Sequence, residues 1–279
     1  MMWPLPRPPY KAYDFYQASV LSTRSKEVSD RLLGLSNNIL QAAERYKPAA
    51  SNGALHQLKD LAGQPSDAAG KSALLWAYEQ GIVRNKKGRL LYDFLLAQAP
   101  YGRCPFCWHR NVHTIDHQLP KSSYPLLSII PDNLVPACTN CNHRKNDTVA
   151  ASTQTQILHP YFEHADHGRW LFARVAYLEP VTVLFSADPD PTFSETMQTR
   201  IRHQFTQFRL ASLYGQQAAS QIAGERHRID QLRQQAGPTV LSAHLRDAAD
   251  SWAKQSVNCW QRAMYEALAT HSGFLESGT

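Results

Sequence analysis

The sequence predicts an α+β, mainly helical protein in which a small cysteine-bearing core is embedded between N- and C-terminal helical regions, with an extra β-hairpin. Three observations carry that expectation. Apolar residues recur at helical spacing before residue 100 and again after residue 194. Between them, the stretch from about Gly102 to Thr148 lacks long periodic runs and is dense in Pro, Cys, His and Asn. Four of the five cysteines among the 279 residues fall in that stretch, as two Cys-x-x-Cys pairs. The expected organisation is a helical region at 1–100, a core at 101–160, and a hairpin plus helical region at 161–279.

Taken in order, the stretch from Ser25 to Tyr46 places Val28, Leu32, Leu35, Ile39, Leu40 and Ala43 at helical spacing, with Pro48 as the stop. Shorter helices are expected from Asn52 to Leu61, Lys71 to Ile82 and Leu90 to Ala97, punctuated by Gly63, Gly70, Gly81 and Gly88. The basic run from Arg84 to Arg89 reads as a loop, and Leu126 to Pro131 as a short buried strand. Two β-rich runs, from Trp170 to Tyr177 and from Val181 to Phe185, are broken at Glu179-Pro180 and read as the hairpin. Ile201, Phe205, Phe208 and Leu213 form one helical stripe. Leu241, Leu245, Ala248, Trp252, Trp260, Ala263 and Ala267 form another, beyond Gly237-Pro238. Such stripes are core-forming faces.

Composition excludes several classes. A 43% hydrophobic content supports a sizeable core and rules out a disordered chain. The net charge of +6 is confined: nine basic and three acidic residues lie from Arg84 to Lys145, and the remainder balances. A uniformly basic coat protein is thereby excluded, while a local nucleic-acid contact is favoured. The proline-rich start does not match an export signal, and no stretch has the length to span a bilayer. A cytoplasmic protein with no membrane partner is expected.

The pairs Cys104/Cys107 and Cys138/Cys141 are separated by 30 residues. In a chain without an export signal this reads as a closed structural zinc (Zn2+) site, since four thiolates saturate a tetrahedral ion. Two coincidental pairs or a redox motif are the alternatives. Cys259 stands apart and reads as a small buried apolar residue.

Between the pairs run Thr114-Ile115-Asp116-His117 with Pro120, Lys121 and Ser122, then Pro131-Asp132-Asn133-Leu134, and after them Cys141-Asn142-His143-Arg144-Lys145. This constellation resembles the HNH endonuclease family, in the variant with two zinc knuckles bracketing the core. The flanks, including Leu158-His159-Pro160-Tyr161-Phe162, are similar to HNH proteins associated with bacterial phage defence. The resemblance implies a zinc-stabilised ββα-metal (His-Me finger) core and hydrolysis of DNA to a 5′-phosphate and a 3′-hydroxyl. His117 would be the general base, and Asp116 and Asn142 the ligands of a catalytic Mg2+ or Mn2+. Asn133 would tie the strands together and hold the His117 ring. A histidine suits deprotonation of water near neutrality, and hard oxygen donors suit Mg2+. Asn at 142, where several relatives carry His, favours Mg2+ over a transition metal. Because neighbours on a strand point to opposite faces, Asp116 and His117 need an irregular strand end to share one site.

Lys121, Arg144, Lys145, Lys86 and Lys87 are candidate phosphate-backbone contacts, with solvated surface charge as the plain alternative. His109, His113 and His143 sit among the candidate ligands, and His113, two residues before Ile115 on an expected strand, reads as structural or exposed. His159, His164 and His167, with Glu163 and Asp166, form a second polar cluster that is either another ligand set or an incidental loop. The competing functions are an RNA-cleaving nuclease (of tRNA, as a toxin) and a non-catalytic zinc-dependent nucleic-acid-binding module. Any energy dependence or trigger would need a partner ATPase or sensor protein.

Overall fold

The computed structural model describes residues 4–276. It divides into two compact units, one running to His164 and one beginning at Ala165. The N-terminal helices and the cysteine-rich segment therefore belong to one unit.

That unit begins with α1 (Ala12–Val20), α2 (Lys26–Gly34) and α3 (Ser36–Ser51). The single helix expected from Ser25 to Tyr46 is thus two, breaking at Leu35; the break lets both Leu32 and Ile39 reach full burial. Pro48 does not stop α3. It sits in the last turn, where its own carbonyl still accepts the Asn52 N–H at 3.1 Å. The stop is Gly53, at φ 62°, where Gly53 N–H bonds Ala50 O at 3.2 Å and Ala54 N–H bonds Ala49 O at 2.7 Å. Beyond it, two single turns at Leu55–Gln57 and Lys59–Leu61 replace the helix expected from Asn52 to Leu61.

α4 (Ala68–Trp76) is capped by Asp67, whose Oδ1 accepts the Gly70 N–H at 2.7 Å, and it widens into a π-helical segment, Ala77–Arg84. α5 (Lys86–Ala97) follows, so the basic run at 84–89 is a helix start and not a loop: Asn85 Oδ1 accepts the Lys87 N–H at 2.9 Å. Gly81 and Gly88 are not punctuation. A Cβ on Gly88 would lie 1.9 Å from the Gly81 carbonyl oxygen, so only glycine allows α5 to approach the π segment this closely.

The cysteine-rich segment supplies β1 (Thr114–His117) and β2 (Leu134–Ala137), antiparallel, with Asp116 opposite Val135 and His117 opposite Leu134. α6 (Thr139–Lys145) follows directly. Leu126 to Pro131 is buried but is not a strand. Prolines open the short turns Pro125–Leu127 and Pro131–Asn133, and each removes a donor that a strand ladder would need. Leu127, Ile129, Ile130 and Leu134 join Phe15, Leu32, Tyr46, Leu74 and Leu95 in one core. Each such side chain contributes about 1.5–3 kcal/mol by burial.

In the second unit β3 (Leu171–Leu178) and β4 (Val181–Ala187) form the expected antiparallel hairpin, turning at Glu179-Pro180. The helices are α7 (Glu195–Gln207), α8 (Leu210–Gln255), α9 (Trp260–Thr270) and α10 (Ser272–Glu276). Gly237, at φ 81° and ψ 173°, kinks α8 just before Pro238. Trp252 and Trp260, expected on one stripe, lie on different helices. The break serves Asn258, whose Oδ1 accepts the Trp170 N–H at 2.8 Å and the Leu171 N–H at 3.2 Å and so anchors the hairpin. Cys259 is buried, as expected. Among the described residues no helix is long and apolar enough to cross a membrane.

Candidate functional site

The sulfur atoms of Cys104, Cys107, Cys138 and Cys141 all lie within 4.8 Å of one another, and all four residues are buried. Cys107 Sγ and Cys138 Sγ are 3.9 Å apart. Four thiolates at about 2.3 Å from one tetrahedral ion would sit roughly 3.8 Å from each other. The cluster can therefore hold one zinc ion. Local chemistry prepares it. Trp108 N–H bonds Cys104 O at 2.7 Å and Cys104 N–H bonds Arg110 O at 2.9 Å, which folds the first pair into a tight knuckle. Cys138 caps α6, its sulfur accepting the Cys141 N–H at 3.4 Å. Hydrogen bonds among the four thiols lower the pKa of Cys107 and Cys138 and raise that of Cys141, while burial raises that of Cys104, so a cation is what would hold all four as thiolates.

Beside the cluster, β1, the loop after it and α6 enclose a cavity of about 450 Å³ lined by Asp116, His117, Lys121, Asn142, Lys145 and Asp147, among others. Asp116 and His117 both reach it because His117 ends the strand and its ring is held from the loop: His117 Nε2 lies 2.9 Å from Ser128 O. A carbonyl accepts only, so Nε2 carries the proton and Nδ1 keeps the lone pair. Burial lowers the His117 pKa from 6.5 to about 3, with Lys121 and Lys145 adding to the shift and the Ser128 bond opposing it. The ring is neutral at pH 7. Tyr78, from the π segment, packs edge-on against it at 4.4 Å between ring centroids.

Asp116 is 6% exposed. Its Oδ1 accepts from Lys145 Nζ at 3.2 Å, while its Oδ2 is buried without a hydrogen-bond partner. Burial raises its pKa from 3.8 to about 6, and the Lys145 charge only partly offsets this. An unsatisfied buried carboxylate oxygen is costly, and a cation is the partner that suits it. On α6, Thr139, Asn142 and His143 share the face toward the cavity, at spacings of three and four, and the C-cap residue Asn146 also lines it.

Two sequence expectations are corrected. Asn133 does not hold the His117 ring. It is fully buried and staples the loop: Oδ1 accepts the Leu119 N–H at 2.7 Å, and Nδ2 donates to Leu119 O at 3.0 Å and Leu127 O at 3.1 Å. Leu127 precedes Ser128, so Asn133 positions the carbonyl that holds His117. Lys145 is no surface phosphate contact. It is 3% exposed and donates to Asp116 and to His117 O, the latter at 2.7 Å. Lys121 lies on the cavity wall, ion-paired with Glu79 and 5.6 Å from the Tyr78 ring centroid. Arg144 is half-buried, and Lys86 and Lys87 are exposed on the first turn of α5, away from the cavity lining.

The second polar cluster does not assemble. His159 is fully buried as a structural link, bonding Asp132 O at 2.9 Å and Tyr46 Oη at 3.0 Å, and accepting the Tyr161 N–H at 3.2 Å. His164 and His167 are exposed. Among the described residues, the four cysteines are the group of three or more ligand-type side chains close enough to share an ion. Ser128, Tyr78 and Asp147 were not legible as site residues. A serine acting through its backbone carbonyl leaves no sequence signal.

The chain is similar to protein ea31 of Escherichia phage lambda, 28% identical over 214 residues and covering 71% of each protein. That name states no activity. No family model matches the chain, and no solved structure does.

Proposed function

We propose that the chain is a metal-dependent endonuclease of HNH type that hydrolyses phosphodiester bonds of DNA. The observation that carries this reading is the pairing, on one cavity, of a neutral His117 whose Nε2 is committed to Ser128 with a buried Asp116 whose Oδ2 has no partner. His117 Nδ1 would take the proton of the attacking water, and the neutral ring at pH 7 is in the correct state for that. Asp116 Oδ2 and the Asn142 side chain would hold a Mg2+ or Mn2+ ion, which when bound supplies charge stabilisation at the phosphoryl and leaving oxygens. Lys145 keeps the Asp116 carboxylate oriented, and Lys121 offers a cation at the cavity wall.

DNA as the substrate, and a place as effector in anti-phage defence with a partner ATPase or sensor, rest on the resemblance of motif and flanks. Incubating plasmid with protein and Mg2+ tests the activity. Cleavage by wild type with at least a hundredfold loss in His117→Ala and Asp116→Ala is expected. Variants that cut as well as wild type would sink the assignment. Cleavage of tRNA with plasmid left intact would move the substrate to RNA. Salt-sensitive binding without turnover under any divalent ion would leave a zinc-dependent binding module.

A further inference from the structure

The ribbon that carries the first cysteine pair bears a feature the proposed hydrolysis does not use. Tyr101 is 76% exposed, the most exposed large apolar side chain among the described residues. Its backbone is in the left-handed region, at φ 54°, followed by Gly102 at φ 64°. An aromatic residue there is disfavoured and persists only where its surroundings impose it. They do so here through backbone bonds: Gly102 N–H to Ala99 O at 2.9 Å, Arg103 N–H to Pro100 O at 3.0 Å, and Val112 N–H to Gly102 O at 2.9 Å. The ring also stands edge-on to Trp108, with centroids 6.1 Å apart. The result is a rigid turn with an aromatic face turned to solvent and no core to fill.

From Tyr101 to His113 there are two arginines and no acid. Arg103 is exposed and pinned to Asn111 Oδ1 at 3.1 Å, and Arg110 is half-buried on the same ribbon. Thr114, which begins β1 and lines the cavity, follows Asn111 by three residues, at most about 11 Å of chain. A fixed, exposed aromatic ring on a ribbon that carries two arginines and no Asp or Glu is the chemistry that stacks a nucleobase while phosphates are held nearby.

We infer that Tyr101 is a stacking platform for an unpaired base of the nucleic acid, so that the preferred substrate presents single-stranded or unstacked nucleotides. The inference rests on the nuclease reading for the word substrate, but its test is read in binding. In the His117→Ala background, with Ca2+ present, fluorescence anisotropy is measured on a labelled oligothymidine and on its duplex with oligoadenine. Tyr101→Ala should weaken single-strand binding roughly five- to fifty-fold, with Tyr101→Phe close to the parent and duplex affinity unchanged. Equal single-strand affinity in Tyr101→Ala and parent overturns the platform, as does an equal loss on both substrates. Zinc content and thermal midpoint should match the parent in both variants; a fall in either would mean that Tyr101 instead covers the knuckle. If His117→Ala still cleaves plasmid, the nuclease reading fails while the stacking result stands.

Discussion

Lys145 Nζ lies 3.2 Å from Asp116 Oδ1, and both side chains are almost wholly buried. One end of α6 is thereby bonded to the end of β1, because the same ammonium donates to His117 O. A buried pair of this kind adds little net stability compared with an apolar pair, yet it is costly to break from one side. Its effect is to hold a carboxylate in a place where burial disfavours the charge.

Asp116→Asn should therefore flatten the loss of stability between pH 4 and pH 7 while abolishing cleavage, whatever the pH-independent cost of leaving Lys145 without its carboxylate. The folded-state pKa, about 6, lies above the reference of 3.8. The stability this contributes is present below pH 3.8 and is lost as pH rises through 6. Without divalent ion, wild type should lose about 3 kcal/mol more than the variant between pH 4 and pH 7 in urea unfolding. Parallel pH profiles of the two proteins would mean that Asp116 is not desolvated as described.

His117 has the opposite sign. Its folded-state pKa is depressed to about 3, against 6.5. Its contribution is complete above pH 6.5 and is lost as pH falls toward 3. Relative to wild type, His117→Gln should become less acid-sensitive, by about 3 kcal/mol between pH 8 and pH 4.5. In wild type the two residues partly cancel, so unfolding curves of the single variants expose what the parent conceals.

Zinc should be bound at one equivalent per chain, measured by elemental analysis of protein purified without chelator. Cys104→Ser or Cys141→Ser should remove it. The thermal midpoint should then drop by more than any surface substitution causes, because metal binding is folding energy for so short a segment. Retention of a full equivalent in both variants would contradict the tetrathiolate site.

Asn133→Ala should act through the loop. Three buried bonds to Leu119 and Leu127 are lost, at a cost of about 3 kcal/mol, since the backbone groups they satisfy stay buried. Cleavage should fall with substrate affinity unchanged, because Ser128 O no longer fixes His117. Normal cleavage in a destabilised Asn133→Ala protein would confine Asn133 to folding.

Much of this architecture was readable from residue pattern. The helical regions, the hairpin on either side of Glu179-Pro180 and the clustering of four cysteines follow from periodicity and spacing, which are local. Element boundaries were less legible. Pro48 looks like a stop and is not one, because a proline in a last turn forfeits little, whereas Gly53 ends the helix through its left-handed backbone. The basic run at 84–89 looks like a loop because its charges hide the cap made by Asn85.

The residue pattern alone places certain side-chain types near one another around residues 104–145: four thiols able to hold a soft ion, and beside them the oxygen and imidazole groups of Asp116, Asn142 and His117. Only the tertiary structure decided their states. Ser128, through its carbonyl, sets the tautomer of His117. Lys145, a surface charge by composition, is folded inward to meet Asp116. Burial then moves both pKa values, and burial belongs to the packed whole and not to any local stretch of chain.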